Sequence, residues 1–122
     1  INGLFLDISR KQHNLVNKNI YEKGLLKTFE DIRLLMFENP SFKVEYFAGK
    51  AGFSVRRFQQ YYKQFFGVVP SYDLNMAKLT FAKECLKNKE SFNTIAEKLG
   101  FSSTLYFVRW FENNTGIKPK EF

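Results

Sequence analysis

Between positions 56 and 63 the chain reads RRFQQYYK, which gathers Arg56, Arg57, Gln59, Gln60 and Lys63 into about two turns of any helix formed there. Arg and Gln are the side chains that meet base edges with paired hydrogen bonds, Arg on guanine and Gln on adenine, whereas Lys suits a phosphate. On a helical wheel Phe58, Tyr61, Tyr62 and Phe65 share one face and must go to a core. Arg56, Gln59, Gln60 and Lys63 then fall on the opposite side, with Arg57 on a flank. A merely solvated helix would carry the same charges, so the surrounding elements have to decide.

Those elements are written twice. GFSVRRFQQYY at 52–62 returns as GFSSTLYFVRWF at 100–111. From Ser103 onward the offset is 49, with Phe107 over Phe58, Phe111 over Tyr62, Gly116 over Gly67 and Pro119 over Pro70. Before the turn it is 48, with Gly100 over Gly52 and Ala96 over Ala48, so the second copy carries one more residue at its turn. Each copy reads as short helix, glycine turn, longer helix, Gly, Pro, which is the order of a helix-turn-helix.

The remaining periodicity predicts an all-α fold of about seven helices, two helix-turn-helix subdomains joined by a long central helix. Leu25, Leu26, Phe29, Ile32, Leu35 and Met36 form one apolar stripe on a helix from about Lys23 to Phe37, ended by Asn39-Pro40. A short helix follows over about 44–50. Ser54 caps the helix over 55–66, and Pro70 opens a connector over about 70–87. Ser91 caps a helix over about 92–99, and Ser102 and Ser103 cap one over about 104–113. A last turn falls near Lys120. Phe47, Phe58, Phe65, Leu79, Phe81, Ile95, Phe107 and Phe111 are the expected core. Residues 1–24 show no sustained period and read as a linker or tail, leaving 25–122 as the domain, with helix-turn-helix units over about 44–66 and 92–113.

The second copy offers less chemistry. Phe107, Trp110 and Phe111 point inward, so Leu105, Val108, Arg109 and Glu112 point outward. Arg109 is the clear base-edge ligand there, joined by Thr104 at the helix start. Ser103, Lys118 and Lys120 suit phosphates, as Arg57 and Lys63 do in the first copy, and a helix N-terminus itself favours an anion. Leu105 and Val108 can sense a thymine methyl.

The bulk properties agree with a polyanionic partner. The chain has 122 residues, 44% of them apolar, fifteen Phe and a net charge of +7. One cysteine, Cys85, cannot close an internal disulfide and sits in a helical apolar pattern, which fits a reducing compartment and a packing role. No stretch approaches a membrane span and no signal-peptide pattern is present. The chain opens at Ile1 and reads as a piece of a longer protein.

Ile95-Ala96, Gly100-Phe101-Ser102-Ser103, Tyr106-Phe107, Arg109, Phe111, Gly116-Ile117 and Pro119 resemble the signature of AraC/XylS-type transcription regulators. Lys78-Leu79, Ala82 and Leu86 resemble that family's connector helix, and the likeness spans about residues 25–122. The resemblance implies two recognition helices in successive major grooves on one face of double-stranded DNA, and transcriptional control. It puts Tyr106 on an aromatic packing position. It also implies a bacterial-type regulator in the cytoplasm, associated with the nucleoid, with an effector or signal domain ahead of Ile1 and RNA polymerase as a further partner. The outer face of the second helix is more apolar than the family's usual pattern, which weakens base reading by that unit. In the competing reading Leu105 and Val108 dock on a protein and only the first unit holds DNA.

Other chemistry is thin. His13 is the only histidine, which leaves no histidine triad and no ordinary zinc site, and GKAG at 49–52 lacks the spacing of a phosphate-binding loop. No enzyme, cofactor or metal is expected.

Overall fold

The computed structural model describes the backbone of residues 2–122 and the side chains of residues 20–122. Six α-helices follow one another: α1 Asn2–Glu38, α2 Val44–Ala51, α3 Val55–Phe66, α4 Pro70–Lys87, α5 Phe92–Lys98 and α6 Thr104–Thr115. A 3₁₀ turn over Pro119–Glu121 closes the chain. Among the described residues there is no strand.

The helix borders follow local chemistry. Ser54, Ser91 and Ser103 stand in extended backbone as N-caps, each accepting a hydrogen bond from the backbone N–H three residues on. At the two turns Gly52 has φ 81° and Gly100 has φ 79°, a left-handed conformation that a side chain would strain. At Gly100 a Cβ would also lie 3.4 Å from the Ser41 carbonyl oxygen, so the loop ahead of α2 closes onto the turn of the second unit.

Two aromatic clusters form, one per unit. Phe29, Ile32, Met36, Phe47, Ala48, Phe58, Tyr62 and Leu74 make the first, gathered about the fully buried Phe29 ring, whose centroid lies 5.3 Å from both Phe58 and Phe65. Leu79, Ala82, Cys85, Ile95, Ala96, Leu99, Phe107 and Phe111 make the second. Each buried Phe contributes roughly 1.5–3 kcal/mol through the apolar surface it removes from water. The connector α4 gives Leu74 to one cluster and Leu79, Ala82 and Cys85 to the other, so it is the shared beam between them.

Three expectations need correction. The sequence pattern starts the first helix near Lys23, whereas α1 is one 37-residue helix from Asn2. No proline interrupts those residues, and a helix without an apolar stripe leaves no period to read. Phe65 and Phe81 are half-buried rather than buried. Phe65 packs its ring on Phe29 and Tyr61 yet borders surface clefts with Leu26 and Gln64, and Phe81 packs against the rim of the second cluster. The other six of the expected core are buried. His13 lies outside the residues whose side chains are described.

Candidate nucleic-acid interface

The first unit presents its polar residues as the wheel predicts. Phe58 and Tyr62 are fully buried and Tyr61 and Phe65 half-buried, which turns Arg56, Arg57, Gln59, Gln60 and Lys63 to solvent. Arg57 is not loose: its guanidinium carbon lies 5.5 Å from the Tyr61 ring centroid, and Nη2 donates to the Tyr61 hydroxyl at 3.4 Å. That holds it on the flank, while Arg56, Gln59 and Gln60 line the outer ridge of α3.

The ridge is anchored from beneath. The Tyr62 hydroxyl donates to Asp73 Oδ2 at 2.6 Å, and Arg33 Nε donates to the same oxygen at 2.8 Å. Asp73 is buried, and this triad ties α1, α3 and the first turn of α4 together. Burial, reinforced by the Asp73 bond, pushes the Tyr62 phenol well above its ordinary range, so it stays a donor. The Arg33 guanidinium also stacks 4.5 Å above the Phe66 ring.

In the second unit Phe107 and Phe111 are buried, and Arg109, Leu105 and Glu112 are exposed. Val108 departs from the expected outward set: it is half-buried against the second cluster. Tyr106 departs in the other direction, being 60% exposed where packing is expected. Both follow from the buried stripe, because Phe107 and Phe111 bring Val108 inward and leave Tyr106 beside Leu105 on the rim. The Ser103 hydroxyl accepts from the Tyr106 N–H at 3.2 Å, which leaves its own proton to donate. Thr104 is half-buried, with its hydroxyl donating to Asn93 Oδ1 of α5 at 3.1 Å. Lys118 and Lys120 are exposed on either side of Pro119.

A cleft of about 400 Å³ separates α3 from the connector, with Lys43, Gln59, Ser71, Asn75 and Lys78 among its walls. Sequence reading does not single out Lys43 and Lys78 as ligands, because neither lies on a recognition helix. Lys78 is half-buried, its ammonium 5.9 Å from the Phe101 ring centroid, and burial lowers its pKa. Among the described residues no group of three or more His, Cys, Asp or Glu side chains could hold a metal ion, and no helix is long and apolar enough to cross a membrane.

The sequence model of the family described as a helix-turn-helix domain matches residues 47–122. No curated protein matches the chain. Among solved structures, the chain is similar to a transcriptional regulator from Chromobacterium violaceum of the AraC-type DNA-binding domain-containing proteins. The TM-score is 0.66 at 27% identity, over 81% of this chain and 91% of that one. The C-terminal domain of AraT, a response regulator from Geobacillus stearothermophilus, gives a TM-score of 0.70 at 21% identity, over 77% and 81% of the two chains. The DNA-binding domain of AdpA, a global transcriptional factor in complex with a target DNA, gives 0.67 at 23% identity, over 76% and 86%.

Proposed function

Because the chain belongs to the helix-turn-helix domain family, and to its AraC type, we propose that it binds double-stranded DNA sequence-specifically as the DNA-binding domain of a transcription regulator. In this reading α3 and α6 enter successive major grooves. The observation that carries it is the two-faced α3: a buried aromatic face fixes the helix, and Arg56, Gln59 and Gln60 stand free along the other. Arg56, Gln59, Gln60, Thr104 and Arg109 read bases. Arg57, Lys63, Ser103, Lys118 and Lys120 hold the phosphate backbone, and Lys43 and Lys78 add positive charge beside the first recognition helix.

The same reading gives the chain no reaction to catalyse. It puts the protein in the cytoplasm at the nucleoid, with an effector or signal domain ahead of Ile1 and RNA polymerase as a further partner. The AraT relative, a C-terminal domain of a response regulator, supports a regulated arrangement of this kind. One observation favours a second reading: Leu105 and Tyr106 are 57% and 60% exposed on α6, an apolar edge that suits a protein partner while α3 alone holds DNA.

A gel shift on a duplex selected from a random pool tests the proposal. Six or more phosphate contacts weaken binding roughly a thousandfold or more between 50 and 200 mM salt. Affinity that ignores salt contradicts the proposal.

A further inference from the structure

We propose that Asn75 is a positioning residue that fixes the angle between the two recognition helices, and with it the half-site spacing the protein accepts. This rests on the two-groove reading above. Asn75 follows Leu74 of the first cluster on α4, yet its carboxamide reaches into the second unit. Trp110 Nε1 donates to Asn75 Oδ1 at 2.8 Å, Asn75 Nδ2 donates to Asn114 Oδ1 at 2.8 Å, and Asn114 Nδ2 donates to the Trp110 carbonyl at 2.7 Å.

The polarity of this relay is forced. An indole N–H can only donate, so Asn75 must turn its oxygen to Trp110 and its amide nitrogen to Asn114. Asn114 must then offer its oxygen to Asn75, which leaves its own amide for the Trp110 carbonyl. Every bond of the relay has one arrangement, and that arrangement sets where α6 lies along α4.

The two clusters share no residue, so the angle between the units depends on how each is seated on α4. Among the described residues, the Asn75 relay, the Lys78 ammonium over Phe101 and the close approach of the Ser41 carbonyl to Gly100 add polar contacts to the packing of Leu79, Ala82 and Cys85. Of these polar contacts, the relay is the one that reaches α6, adding direction to the apolar packing of Phe107 and Phe111. Asn75 also lines the cleft beside Gln59 of the first, so one side chain adjoins both.

The test uses Asn75→Ala and Trp110→Phe, the second of which keeps a smaller aromatic ring in the site and removes the donor. Nitroxides on Gln64→Cys in α3 and Asn113→Cys in α6, both exposed positions, report the distance between the units in the free protein. Both relay variants should broaden that distance distribution, and the double variant should broaden it no further than either single one. On DNA, inserting two base pairs between the half-sites should penalise the variants roughly fivefold to thirtyfold less than wild type, the factor that one or two neutral hydrogen bonds represent. A distribution that stays narrow in both variants overturns the proposal. If the variants broaden it but wild type shows no DNA binding, the positioning role stands and the DNA-binding reading falls.

Discussion

The Tyr62 hydroxyl donates a 2.6 Å hydrogen bond to Asp73 Oδ2, joining the buried face of the first recognition helix to the first turn of the connector. Arg33 shares that oxygen from α1. Removing the carboxylate strands a buried phenol and a partly exposed guanidinium at once. Asp73→Ala should therefore cost about 2–4 kcal/mol in urea unfolding. Tyr62→Phe leaves the Arg33 pair intact and should cost about 1–2 kcal/mol. Equal, negligible losses would remove the triad as an anchor.

The same bond gives a pH dependence. The folded pKa of Tyr62 is raised above its unfolded value, first by burial and then by Asp73. A raised pKa contributes stability that is complete below the unfolded value of about 10 and declines as pH rises beyond it. Unfolding free energy should drop more steeply above pH 10 in wild type than in Tyr62→Phe, and parallel curves would contradict the assignment.

How much of this the sequence discloses depends on whether a residue acts through a period or through a distant partner. The stripe of Phe58 and Tyr62 and the Ser54 and Ser103 caps are local patterns, and they place α3 and α6 correctly. The first half of α1 has no stripe, so nothing marks it as helix. Phe65 lies one residue from the end of α3 and Phe81 packs on the rim of the second cluster, so a wheel position alone overstates their burial. Asp73, in the first turn of α4, belongs to no pattern in the sequence. Only the fold brings Arg33 to it from 40 residues away. Asn75 and Trp110, 35 residues apart, are likewise unpaired in any pattern.

Arg56 and Lys63 should separate base reading from backbone holding. Arg56→Ala is expected to cost about 1–3 kcal/mol on a selected site and to relax preference at one position. Lys63→Ala should weaken selected and random duplexes alike and shallow the salt slope by about one unit. Titrating both variants against both duplexes checks this, and an Arg56→Ala loss equal on the two would assign it to the backbone.

The two half-sites should be read unequally. The first recognition helix exposes Arg56, Gln59 and Gln60, whereas the second exposes Arg109 beside Leu105 and Tyr106 and turns Val108 toward its core. Base-by-base substitution of a selected site should show the sharper requirement under residues 54–65. Equal losses across both halves would overturn the asymmetry.

Hydroxyl-radical footprinting of the protein on a selected duplex tests the two-groove account most directly. The two recognition helices should leave two protected patches on one face of the DNA, about 34–36 Å or one helical turn apart. A single protected patch, with α6 leaving no trace, would contradict it.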